Sequence, residues 1–260
     1  MAIARRNVVA SCTVIPISRT IGLPAKPSTS LPLPSPENAV VEEGAKERAS
    51  QVAAKEPLPA LTEEQRAQRE AENGLRQFDR MVELIDEGTR ASRFRFRVST
   101  LMELNRLAIA GLQSDDGAFR RERIDISNSS HQPPPPDDVP RLVDEMCEYV
   151  EDNWPIRSPV HLAAYVMWRL NWIHPWADGN GRTSRAVSYL VLCVRLGFRL
   201  PGRTSIPERI ARDKFPYYDA LDAADAAWQS GNLDVSKMEA LLEGHLAAQL
   251  VSVHEAATSP

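Results

Sequence analysis

Two stretches constrain this chain more than anything else in it: "VHLAAYVMWRLNWI" (160–173) and "GRTSRAVSYLVLCVRL" (181–196). Each is apolar around most of a helical circumference, so neither has a polar face to turn to water. Helices of that kind belong at the centre of a core. Ser158 is placed to cap the first, Pro159 occupies its first turn, and Gly197 follows the second as a stop. Only residues 174–180 separate the two, so the chain is expected to reverse tightly between two central helices. A chain organised around such a pair is expected to be all-α.

Amphipathic segments are available to surround the pair. Thr62 with Gln65 makes a capping box, and the helix it opens runs through "EEQRAQREAENGLRQFDRMVELIDEG". There Leu75, Phe78, Val82 and Ile85 recur at helical spacing, and Gly88 is the expected stop. Thr100 with Glu103 is expected to open a second helix carrying Leu101, Leu104 and Leu107. "VPRLVDEMCEYVEDNW" (139–154), "DKFPYYDALDAADAAWQS" (213–230) and, after Gly231, "DVSKMEALLEGHLAAQL" (234–250) complete the set. One segment differs: "RIDISNSS" (123–130) alternates apolar and polar residues and is expected to be a short exposed strand or hairpin. The four prolines of "HQPPPPDD" then make a rigid connector.

The first sixty residues hold eight of the twenty prolines and lack helical periodicity. They are expected to be disordered or loosely attached, and they lack the clean apolar core of a secretory signal. The expected organisation is therefore a Pro-rich segment (1–60), an N-terminal helix (61–98), a helical core (99–252) and a flexible tail (253–260). Bulk chemistry narrows the function classes. A formal net charge of −4 argues against a nucleic-acid partner. No stretch has the roughly 18 unbroken apolar residues of a membrane span. Cys12, Cys147 and Cys193 form neither a CxxC pair nor a metal spacing, which fits a reducing cytoplasm.

The connection itself, "HPWADGNGR" (174–182), carries the chemistry. Gly179 and Gly181 allow a ligand to approach the main chain, and a helix N-terminus exposes unpaired N–H groups. Together they make an anion nest. Arg182 and Arg185 oppose the helix macrodipole in the first turn, which makes sense where several phosphate charges sit. Asp178 would repel a triphosphate unless Mg²⁺ bridges the two. His174, at the end of the preceding helix, is placed to take a proton from an incoming hydroxyl. A His before Pro or a "DGNG" taken alone is usually a helix end or a turn. No turn, however, requires His, Asp and two arginines in this register. The constellation is that of nucleotidyl transfer.

"HPWADGNGRTSR" resembles the signature of the Fic (filamentation induced by cAMP) family, also called Fido domains, with Trp176 in place of the usual Phe. "GAFR" (117–120), "RIDI" (123–126), "PPPPDDVPRLVDEM" and "YYDAL" (217–221) resemble further landmarks in the family's order. The resemblance implies an all-α Fic-type bundle with a small β-hairpin flap. It implies transfer of AMP from ATP to a Ser, Thr or Tyr hydroxyl of a target protein. His174 is then the base and Asp178 the Mg²⁺ ligand. Asn180, Gly181 and Arg182, with Gly179 beside them, bind the α- and β-phosphates, and Arg185 binds the γ-phosphate. Ile124, Asp125 and Ile126 lie in the flap that registers the target chain by strand addition. Tyr217 and Tyr218 either help contain the base or pack the core. A homodimer is left open. Many relatives carry an inhibitory helix ending in Glu-Gly or Glu-Asn. "QREAENG" (68–74) matches its end at Glu72-Asn73, with Gln68 where Ser or Thr is usual, so Glu72 is a candidate brake on Arg185. "EALLEGHL" (239–246) is a weaker match. Alternatives are transfer of another phosphate-containing group, removal of AMP, and a non-catalytic nucleotide-binding or toxin–antitoxin module.

Overall fold

The computed structural model describes Arg48, Ser50–Gln51 and residues 61–113 and 117–258. Most of the Pro-rich segment expected to be disordered therefore lies outside the described residues. In chain order the elements are strand β1 (Ser50–Gln51), helices α1 (Glu63–Arg90) and α2 (Val98–Ile109), and strand β2 (Asp125–Ile126). A 3₁₀ turn at Pro136–Asp138 leads into α3 (Val139–Asn153) and α4 (Pro159–Ile173). Then follow α5 (Asn180–Leu196), α6 (Ile206–Arg212), α7 (Phe215–Gln229) and α8 (Ser236–Thr258). The fold is all-α. No helix among the described residues is long and apolar enough to cross a membrane.

The central pair is as the sequence requires. α4 and α5 pack on each other more extensively than any other two elements, with α1, α2, α3 and α8 arranged against them. Leu162, Val166, Leu170, Val187, Leu190 and Val191 are all fully buried. Each such side chain contributes roughly 1.5–3 kcal/mol of burial. Ser158 accepts from the His161 N–H, and Gly197 closes α5 in the left-handed conformation.

α1 departs from its expected register. Its capping box is present, but its buried residues are Asn73, Gln77, Met81 and Ile85, while Leu75 and Phe78 are exposed. Two amides decide this. Asn73 Nδ2 donates to the Ala110 carbonyl (2.8 Å) and Gln77 Nε2 to the Leu104 carbonyl (3.0 Å), both on or at the end of α2. Buried polar groups that find backbone partners outweigh two exposed apolar side chains. Nor does Gly88 stop α1, which runs on to Arg90. A Cβ on Gly88 would lie 2.7 Å from Val194 Cγ2, so this glycine lets α1 pack closely on α5. α2 begins at Val98 rather than at Thr100, with no side-chain cap. α6 was not anticipated.

The flap segment holds the short strand that was one of its two expected forms. β2 does not fold on itself as a hairpin. It pairs antiparallel with β1, with Ser50 opposite Ile126 and Gln51 opposite Asp125. Part of the segment expected to be loose is therefore docked.

Candidate functional site

The 174–179 connection is stitched down along its length. His174 closes α4 in the left-handed region, at φ 52° and ψ 61°, a conformation uncommon for a residue with a Cβ. Arg120 holds it there. Its buried guanidinium donates to the carbonyls of His174 (2.8 Å), Glu122 (3.0 Å) and Pro134, and its backbone N–H donates to Pro175. Burial pushes Arg120 down to about 10, so it keeps its charge at neutral pH. Trp176 turns into the core, 1% exposed, and its indole N–H donates to the Gly117 carbonyl at 2.8 Å. That bond is what the larger ring adds over a phenyl. Asn180 clips the loop shut: its Oδ1 accepts from the Trp176 N–H (3.0 Å) and its Nδ2 donates to the Trp176 carbonyl (2.8 Å). The Asn180 side chain is thus committed to the loop. Its backbone N–H, at the start of α5, faces the position an anion would take.

Gly179 caps α5 at φ 79°, and a Cβ there would lie 2.8 Å from both Asn105 Nδ2 and Ile109 Cγ2. Asn105 in turn donates to the Asp178 carbonyl (3.0 Å) and to Thr183 Oγ1 (3.2 Å). Reading the sequence missed Asn105. The signal was there: it is a lone amide on the apolar face of "LMELNRLAI".

A cavity of about 380 Å³ opens over this loop. His174, Asp178, Gly179, Asn180, Gly181, Arg182 and Arg185 all line it, so the structure brings the sequence candidates together. The first intrahelical bond of α5 is Thr183 N–H to the Gly179 carbonyl, which leaves the N–H groups of Asn180, Gly181 and Arg182 ahead of it. Arg182 donates to the Ala108 carbonyl (2.9 Å) and pairs with Asp178 Oδ1 (3.2 Å). Arg185 lies 6.0 Å from the centre of the buried Tyr217 ring. The Tyr217 hydroxyl is 3.3 Å from Ser184 Oγ.

His174 is 6% exposed, and burial pushes its imidazole down to about 4. Nδ1 lies 3.1 Å from the Asn171 carbonyl. A carbonyl only accepts, so Nδ1 carries the proton and Nε2 is the basic nitrogen. The imidazole is neutral at pH 7, as a proton acceptor must be. His131 is a second histidine on the cavity wall, and it was read only as the start of the proline connector. Its Nε2 lies 2.8 Å from the Trp172 carbonyl and its Nδ1 3.4 Å from Asp225.

Glu72 does not meet Arg185. Its carboxylate accepts from Gln68 Nε2 (3.1 Å) and pairs with Arg69 (3.8 Å). The Asn73 anchor sets the rotation of α1, and the residues α1 sends to the cavity are Arg66 and Glu70. Arg66 reaches within 3.8 Å of Asp178. Of the flap candidates, Ile124 is buried, Asp125 is exposed and Ile126 lines the cavity.

Comparison with known proteins finds matches over the region that carries this site. Residues 95–192 match the model of the Fic/DOC family. A "Protein adenylyltransferase Fic" of Nematostella vectensis is 29% identical over 132 residues, covering 49% of this chain and 28% of the relative. One of the same name from Drosophila persimilis is 32% identical over 103 residues, covering 39% of this chain and 20% of the relative. The matched region thus spans only 20–28% of the length of those relatives. Among solved structures, a Fic domain-containing signalling protein from Bacteroides thetaiotaomicron superposes with a TM-score of 0.57 at 22% identity, covering 71% of this chain and 72% of that one. Fic-1 (residues 134–508) of C. elegans also gives 0.57, at 19% identity, covering 79% and 56%. Signature and family match coincide on the same residues, on a fold shared with the Fic structures: residues 95–192 of this chain form a Fic/DOC-family domain.

Proposed function

We propose that the chain is a protein adenylyltransferase, moving AMP from ATP to a hydroxyl side chain of a target protein. The observation that carries this is the pairing of a buried, neutral His174 with an anion nest in one cavity. The relatives named above carry the same activity in their names.

The target's hydroxyl oxygen attacks the α-phosphorus as its proton passes to His174 Nε2. The bond from the α-phosphorus to the oxygen bridging it to the β-phosphate breaks, and pyrophosphate leaves. The backbone N–H groups of Asn180, Gly181 and Arg182 face the α- and β-phosphates, and Arg185 faces the γ-phosphate. Charge that develops on phosphate oxygens meets donors already fixed by the loop. Arg182 turns from Asp178 to the nucleotide when phosphate arrives.

Mg²⁺ fits this donor set. No group of three or more metal-ligating side chains occurs among the described residues. Mg²⁺ bound with a nucleotide, however, takes one or two carboxylates and fills its shell with phosphate oxygens and waters. Asp178, a partly exposed carboxylate on the cavity wall, would hold it. When bound, the ion neutralises phosphate charge, which also removes the repulsion between Asp178 and the nucleotide.

The test is to incubate the chain with lysate, Mg²⁺ and ATP labelled at either the α- or the γ-phosphate. Protein should take up label only from the α-position, and His174→Ala should abolish uptake. Label arriving from the γ-position, or surviving in His174→Ala, overturns the proposal. The brake is tested in the same assay. Since Glu72 touches neither Arg185 nor the cavity wall, Glu72→Gly should leave labelling within about twofold, as surface changes usually do. A rise of tenfold or more would demonstrate a second arrangement in which Glu72 locks Arg185.

A further inference from the structure

One contact at the cavity mouth has no part in the chemistry above. Arg48 lies two residues before Ser50, the residue opposite Ile126 in the β1–β2 pair. Its guanidinium donates to both carboxylate oxygens of Asp222, at 3.1 and 2.8 Å. It also stacks over the Tyr218 ring, 4.5 Å from the centroid, and the Arg48 backbone N–H donates to the Tyr218 hydroxyl at 3.3 Å. Tyr218 and Asp222 sit one turn apart on α7, so one helix face presents an aromatic plane and a carboxylate together. That combination fits a planar guanidinium far better than an ammonium, which can neither pair through two parallel bonds nor stack. Arg48, Tyr218 and Ile126 line the same cavity as His174.

We propose that Tyr218 and Asp222 form an arginine subsite for the acceptor protein, and that in cis the chain's own Arg48 fills this subsite and Ser50–Gln51 the β2 edge. An acceptor segment adds to β2 with an arginine two residues ahead of the position opposite Ile126, and displaces β1 as it does so. This rests on the reading that acceptors dock on β2. The cis segment suits a competitor rather than a permanent cover. Its strand is two residues long, and so short a pairing opens readily. Being tethered, it meets the edge at a high effective concentration, so only segments with matching contacts replace it. The subsite therefore acts as a filter on acceptor sequence.

Two measurements on the full chain test this, and neither needs ATP. In the first, backbone hydrogen exchange across residues 122–128 is compared between the unaltered chain and Arg48→Ala. Loss of the anchor should speed exchange there by about tenfold or more while residues 160–196 stay unchanged. In the second, a fluorescent peptide with this chain's residues 44–55 is titrated against both. It should bind Arg48→Ala at least about tenfold more tightly than the unaltered chain, whose edge is filled. Changing the peptide's arginine to lysine, or adding Asp222→Ala to the Arg48→Ala chain, should weaken that binding. Exchange that is alike in both chains overturns cis occupancy. Equal peptide binding by both chains overturns competition. Indifference to lysine and to Asp222→Ala overturns the arginine subsite. Any of these failures leaves AMP transfer standing, whereas failure of the α-label assay would leave a strand-docking subsite without the proposed chemistry.

Discussion

His174 shows how one residue's surroundings set its chemistry. An exposed histidine gains its proton near 6.5, but burial moves this one to about 4. AMP transfer should therefore hold its rate as pH falls through 6.5 and lose it only near 4, which a pH–rate profile measures. The same shift has a stability consequence of defined sign. A base whose folded pKa is depressed binds fewer protons folded than unfolded, so stability falls as pH drops from about 6.5 towards 4. The loss is on the order of 3 kcal/mol, read as a fall in urea midpoint across that window. Gly179 is constrained by geometry instead. Gly179→Ala puts a methyl into Asn105 and Ile109 at a backbone angle that disfavours any Cβ. It should cost about 1–3 kcal/mol of stability and most of the transfer activity. Activity that survives intact would show that the nest tolerates a shifted loop.

At the scale of elements, α1 marks where sequence pattern was a poor guide. Its apolar spacing pointed to Leu75 and Phe78, but the register follows Asn73 and Gln77, whose amides answer carbonyls on α2. Periodicity scores apolar side chains and is blind to a buried amide with a partner far along the chain. α4 and α5 were legible because nothing competes for the centre with helices apolar around most of their circumference. The signature loop was legible because its residue types conflict with any purely structural turn. What stayed hidden there was the loop's support from Asn105 and the commitment of the Asn180 side chain. Each depends on a partner that only the folded chain supplies. The flap's pairing was hidden for a related reason: its strand partner lies some seventy-five residues upstream, at Ser50–Gln51. Gly88 offers a clean test of the α1–α5 contact. Gly88→Ala should lose about 1–3 kcal/mol through its clash with Val194, and Val194→Ala should recover part of that in the double variant. Additive losses would show that the two side chains do not meet.

Across the whole molecule, the site sits at the end of the buried α4–α5 pair, and the paired strand edge lies on the wall of the same cavity. α4 and α5 supply both the core and the loop that carries His174 and the nest. The loop's fixings run to α2 through Asn105, to the pre-flap segment through Arg120, and to itself through Asn180. Local opening of the loop would have to break these fixings. Heating should therefore reveal a single collapse at the centre: transfer activity and the near-ultraviolet circular dichroism of the buried aromatic residues should vanish at one temperature. Activity lost well below that temperature would mean the loop melts by itself. A loop pinned at this many points should have no soft state to visit. Heat, denaturant or a destabilising core substitution would thin the population of working molecules without making any one of them a slower catalyst.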